Sequence, residues 1–134
     1  MTIDLPLWPP SNNVYYRNVH GRMVMSKPGR LFIEDGCRHI KPIMNREIPF
    51  KGRLGVNIRL YPPTNAKRDV DNFLKAVLDL MTKAGVWEDD SQVDQLTVSR
   101  ETKVKGGKVI IEIWQRPGVD THVNLLQTNL SKTQ

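Results

Sequence analysis

Cysteine is nearly absent: Cys37 stands alone in 134 residues, so no intrachain disulfide can form, and it reads as a small structural residue. Histidine is scarce as well, and His20, His39 and His122 lie too far apart for any zinc-ligand spacing. No apolar run approaches the roughly 20 residues of a membrane-spanning helix. The first residues, MTIDLPLW, lack the charged-then-apolar pattern of a secretion signal, so a cytoplasmic location is expected. Glycines are dispersed, which excludes a phosphate-cradling loop, and Ser11 and Ser26 have no recognisable base partner for nucleophilic chemistry.

Positive charge is in surplus. Twenty Lys and Arg against 14 Asp and Glu give a net charge of +6 and a pI near 9.7. That suits a polyanion such as nucleic acid, although a merely basic soluble protein has the same balance. What separates the two is the placement of the acids. They concentrate in one stretch, KRDVDNFLKAVLDLMTKAGVWEDD, Lys67 to Asp90. Carboxylates near a phosphate backbone repel it unless something positive, usually a metal, lies between.

Val70, Phe73, Leu74, Val77, Leu78 and Met81 form the i, i+3, i+4 stripe of an amphipathic helix, with Lys83 and Gly85 as its stop. Asp71, Lys75 and Asp79 step by four along a different face. If Asp69 is the N-cap and Asp71 lies in the first turn, helix capping and the helix dipole account for both acids. The other reading joins them to an acid of the Glu88-Asp89-Asp90 group. Carboxylates facing one point repel one another unless a cation joins them, and hard oxygen donors suit Mg²⁺ or Mn²⁺. Such a site activates water and stabilises charge on a phosphodiester. Lys75 is then either half of an ordinary Asp–Lys helix pair or a contact to the scissile phosphate.

The remaining chain frames this stretch. Thr2 to Leu7 is a short strand with an early exit at its prolines, and Trp8 to Asn13 is a loop. Tyr15, Tyr16 and Arg17 lead into a hairpin closed by Asn18-Val19-His20-Gly21. Those tyrosines either stack on bases or pack over a sheet edge. Ser26 caps a helix over 28–41 that ends at or before Pro42, with Leu31, Phe32, Ile33, Ile40 and Ile43 as its apolar face and Gly36 as a weak point. Leu54, Val56, Ile58 and Leu60 alternate in a half-buried strand; others run from Val93 to about Glu101 and, after the Gly106-Gly107 turn, over Val109–Trp114. The expected fold is α+β, a mixed sheet of about four main strands with two helices packed on it, in the order β(β-hairpin)αβαββ. Residues 1–116 make the domain and 117–134 a polar tail that is mobile or docks at an interface.

LPLWPPSNNVYYR, KRDVDNFLKAVLDLMTKAGVWEDDSQV and TKVKGGKVIIEI together resemble the RusA-type Holliday junction resolvases of bacteria and their prophages, from about Leu5 to Trp114. The resemblance implies a homodimer of mixed α/β fold that binds four-way DNA junctions and, with Mg²⁺, makes paired symmetric nicks. It implies that Asp69, Asp71 and Asp90 bind the metal, with Asp89 adjacent, and that Lys75 is the essential lysine. Lys67 and Arg68, with Asn12, Asn13, Tyr16, Arg17, Lys103 and Lys105, form the expected DNA-binding set. The tail after Trp114 is longer than the family normally carries, and the basic approach to Asp69 is reduced to Lys67-Arg68. Two-fold symmetry suits a junction that must be cut twice; Pro42–Arg53 and the tail are candidate interface segments. The competing readings are a non-catalytic junction- or duplex-binding module and a nuclease of the same fold acting on forks or flaps.

Overall fold

The structure is a computed structural model that describes residues 1–45 and 47–118. Its elements are β1 (Thr2–Leu5), α1 (Asn12–Tyr15), β2 (Tyr16–Val19), β3 (Arg22–Met25), α2 (Lys27–Met44), β4 (Leu54–Tyr61), α3 (Leu74–Lys83), β5 (Val93–Arg100) and β6 (Lys108–Gln115). Two 3₁₀ turns, Val70–Phe73 and Asp90–Gln92, flank α3 in sequence. The α+β class, the four-stranded mixed sheet, the hairpin and the element order agree with the sequence reading; the four-residue α1 is additional.

β4 is the spine. Its alternation buries Leu54, Val56, Ile58 and Leu60 on one face, where β6 adds Val109, Ile111 and Ile113 and β1 adds Ile3 and Leu5. The sheet order is β1-β6-β4-β5, with β6 antiparallel to both neighbours and β5 parallel to β4. A parallel pair needs a crossover, and α3 provides it, which carries the acidic stretch from one end of the sheet to the other. Phe73, Val77 and Met81 of the predicted stripe are buried in the core, together with Ala76 and Leu80, which the stripe did not include, while Val70, Leu74 and Leu78 are only partly buried at its margin. The helix is not continuous from Asp69, because its first turn is 3₁₀. Gly85, at φ 80°, ends the helix segment as expected.

α2 differs more from expectation. Ser26 Oγ accepts from the Gly29 N–H at 3.1 Å, so the cap is as predicted. The helix runs past Pro42 to Met44, however, and closes on Asn45 in the left-handed region. Pro42 sacrifices one N–H in the last turn, and burial of Ile40 and Met44 on either side holds that turn in place. Its buried stripe is Phe32, Gly36, Ile40 and Met44, while Leu31 and Ile43 are exposed.

Gly36 is therefore a contact point and not simply a weakness, for an added Cβ would overlap the Leu80 methyl groups of α3. Leu80 is fully buried and has little room to yield. Gly36→Ala is expected to destabilise the fold by about 1–3 kcal/mol, the usual cost of overpacking, even though alanine favours helix. Urea denaturation of the two proteins measures this.

The hairpin turns through His20 and Gly21, both at positive φ, and Asn18 Oδ1 accepts from the Gly21 N–H at 2.8 Å. Among the described residues no helix is long and apolar enough to cross a membrane.

Candidate active site

The 3₁₀ turn and α3 set Asp71, Lys75, Asp79 and Thr82 along one side of the helix, at the four- and three-residue steps that share a face. Asp69 occupies the N-cap position but makes no side-chain cap hydrogen bond. Among the described residues neither the Asp69 nor the Asp71 carboxylate has a hydrogen-bond partner, and both residues are exposed. Asp69 is thus not a side-chain cap, while Asp71 keeps the first-turn place that also suits the helix dipole. Asn12 Nδ2 donates to the Asp71 carbonyl at 3.3 Å, and Asn12 Oδ1 is buried with no partner.

Asp90 is held differently. Its Oδ1 accepts from Trp87 Nε1 at 3.0 Å and from the Thr82 hydroxyl, and Trp87 Nε1 also reaches Thr82 Oγ1 at 2.9 Å. Trp87 is 1% exposed, so Asp90 is aimed by a residue fixed in the core. Asp89, its neighbour, is engaged elsewhere. Its carboxylate accepts from the Ser91 N–H at 2.9 Å and caps the short 3₁₀ turn, and hydrogen bonding to the Ser91 side chain, then to its N–H, holds its pKa below the usual carboxylate value. Gln92 completes the capping box and donates to the Phe50 and Gly52 carbonyls at 2.9 and 3.0 Å.

Between these acids lies a cluster that the sequence reading did not assign. Asp79 Oδ1 accepts from Lys75 Nζ at 3.0 Å, and Oδ2 accepts from the Tyr15 hydroxyl at 2.9 Å and from Tyr16 at 3.5 Å. The bond to Asp79 is the largest cause raising the Lys75 pKa, to which the charge of Asp90 also contributes, so the ammonium stays protonated. Burial, and then the bond to Asp79, holds the Tyr15 hydroxyl far above the ordinary tyrosine range. The only local signal was the Lys75–Asp79 spacing, which any helical ion pair shares.

The expected DNA-binding set divides. Lys67 and Lys103 are exposed and line one groove with Arg100, while Asn13, Arg17 and Lys105 are exposed elsewhere. Arg68 is committed to its own loop. Its guanidinium donates to the Thr64 and Ala66 carbonyls at 3.0 and 3.2 Å and lies 5.7 Å from the Trp8 ring centroid. Tyr16 is turned to Asp79, and Asn12 to Asp71.

Among the described residues no three His, Cys, Asp or Glu side chains stand together as an ion-holding group. Asp90 is bonded at the last turn of α3, whereas Asp69 and Asp71 stand before its first. The convergence expected from sequence is therefore not formed in this arrangement. The donor chemistry nevertheless fits a hard divalent cation: two unpartnered carboxylates, and beside Asp71 the unpartnered Oδ1 of Asn12.

The family description of endodeoxyribonuclease RusA matches residues 6–114. The chain belongs to the RusA family. Crossover junction endodeoxyribonuclease RusA of Escherichia coli K12 is 39% identical over 112 residues, covering 84% of this chain and 92% of the relative. The namesake protein of Enterobacteria phage 82 is 40% identical over 111 residues, covering 83% and 91%. That of Shigella sonnei is 39% identical over 112 residues. The matched span of this RusA-family chain contains Asp69, Asp71, Lys75, Asp79 and Asp90, and omits the whole tail.

Proposed function

We propose that this chain is a structure-selective endodeoxyribonuclease that resolves four-way DNA junctions by paired, symmetric phosphodiester hydrolysis during recombination and repair. The observation that carries the reading is the pair of exposed, unpartnered carboxylates, Asp69 and Asp71, one turn ahead of a lysine held protonated, all within the RusA-family match.

Each residue then has a task. Asp69 and Asp71 would hold Mg²⁺, for which Mn²⁺ would substitute, and Asp90 would join them by moving from its place at the last turn of α3. When bound, that ion supplies Lewis-acid stabilisation and an activated water at the scissile phosphate. The Lys75 ammonium contacts the same phosphate, where negative charge grows in the transition state. Trp87 and Thr82 fix Asp90 at the end of α3. Lys67, Lys103 and Lys105 guide the backbone, with Asn13 on α1 and Arg17 on β2, while Arg68 shapes the loop that presents Lys67.

Two cuts at related positions call for two equivalent sites, so the acting species is a homodimer. Pro42–Arg53 supports a place in its interface, since Ile48 is 77% exposed there. Residues 1–116 form the endonuclease domain; the tail, as the other interface candidate, lies almost wholly outside the described residues. The chain works in the cytoplasm, and the phage 82 relative supports a prophage origin.

The test is to incubate the purified chain with synthetic four-way junctions, forks and flaps, with Mg²⁺ and with EDTA. The expected result is paired nicking of the junction, abolished by chelation and much weaker on the other substrates. Equal cutting of forks would move the assignment to a fork or flap nuclease. Tight junction binding without any nicking would leave only a binding module.

A further inference from the structure

A lysine and an aspartate four residues apart on a helix are usually a surface pair of small effect. The Lys75–Asp79 pair departs from that pattern because Asp79 is not free to follow the lysine. Its side chain is 18% exposed, and the oxygen not used by Lys75 accepts from Tyr15 and Tyr16, 64 and 63 residues away in sequence. Tyr15 is fully buried, and its ring meets that of Tyr16 edge-on at 4.8 Å. The Tyr15 carbonyl accepts from the Ser26 N–H at 2.9 Å, and Gly29 packs so closely on Tyr15 that a Cβ there would meet the same carbonyl at 2.8 Å. The N-terminus of α2 thus seats Tyr15, Tyr15 seats Asp79, and Asp79 seats the ammonium of a lysine whose own side chain is 46% exposed.

We propose that Asp79 is a positioning residue for Lys75, fixing its ammonium at the scissile phosphate, and that the Tyr15 and Tyr16 hydroxyls fix Asp79 in turn. This rests on the reading of Lys75 given above. A long, half-exposed lysine otherwise samples many rotamers, and tethering it to an immobile carboxylate removes that freedom before DNA arrives.

The test uses the full chain with Asp79→Asn, Asp79→Glu, Tyr15→Phe and Tyr16→Phe. Three quantities are read: single-turnover nicking of a saturating junction, junction affinity, and acetylation of Lys75 by an amine-reactive reagent, quantified by mass spectrometry. Asp79→Asn is expected to slow nicking about 10–100-fold, the scale on which supporting partners of functional groups act, with affinity unchanged and Lys75 more readily acetylated. Asp79→Glu restores part of the rate, and each tyrosine variant moves rate and reactivity in the same direction by less. Wild-type nicking by Asp79→Asn while Lys75→Ala is inactive overturns the proposal and leaves the endonuclease reading intact. Slower nicking with unchanged Lys75 reactivity also overturns it, since the role is then only structural. Full nicking by both Lys75→Ala and Asp71→Asn removes the roles given to those residues and the proposal with them, whereas a wild-type chain that leaves the junction whole with Mg²⁺ sinks the endonuclease reading itself. Should Asp79→Asn lose its fold by circular dichroism, the two Tyr→Phe variants, which keep their rings, decide: wild-type rate and reactivity in both overturn the proposal.

Discussion

Asp71→Asn leaves a folded protein that binds a four-way junction at least as tightly as the parent, yet nicks it at least about 100-fold more slowly, the scale of losing one group aimed at developing charge. The structure explains why the two effects separate. Asp71 is exposed, its carboxylate has no hydrogen-bond partner among the described residues, and only its backbone carbonyl is used, by Asn12. Exchanging one carboxylate oxygen for an amide nitrogen therefore breaks no observed contact. It does remove a negative charge that opposes the DNA backbone, so affinity holds or rises. It also removes a hard anionic donor from the ion site, and the amide is a much poorer substitute. Asp69→Asn is expected to behave in the same way. Unchanged nicking in the presence of Mg²⁺ would falsify the assignment of these acids; loss of fold, read by circular dichroism, would show that the carboxylate had a structural task.

Trp87→Ala is expected to cost about 3–5 kcal/mol of stability, the range for emptying a large aromatic site. Against a typical total of about 5–15 kcal/mol that is a large fraction, and much of the protein will be insoluble or unfolded at moderate temperature. Trp87 is the largest fully buried side chain, and it lies between the end of α3 and the turn that carries Asp90. Trp87→Phe separates packing from polarity. It retains most of the apolar volume but deprives Asp90 of its donor at 3.0 Å and Thr82 of one at 2.9 Å. A cost of about 1–3 kcal/mol follows from the partly buried acceptors left behind. Nicking falls further than stability alone explains, because Asp90 keeps only the Thr82 hydroxyl as its anchor. Urea denaturation read beside single-turnover cleavage checks both parts; a Phe variant that cleaves normally would show that Asp90 needs no such anchor.

Much of the frame was legible in the residues. Alternation in β4 and β6 and the 3.6-residue stripe of α3 each report which side of a local element meets the core, and that is a short-range property. Glycine at positive φ after α3 and in the hairpin turn was equally readable, since few other residues take that conformation easily. The misreadings of α2 came from the same local logic. Proline at 42 argued for a stop and Gly36 for a weak turn, whereas buried Met44 and the Leu80 contact overrode both.

For the site, the sequence by itself determined which groups are present and how they are spaced: two acids one residue apart, a lysine one turn on, and an acid after the tryptophan. Only the tertiary structure decided what each is bonded to. It left Asp69 and Asp71 unpartnered where capping was the alternative, assigned Asp89 to a cap and Asp90 to Trp87, and brought Tyr15 and Tyr16 onto Asp79 from more than 60 residues away. Periodicity is written into neighbouring residues, but a carboxylate accepts from whichever donor the fold delivers, and that delivery depends on the packing of the whole chain.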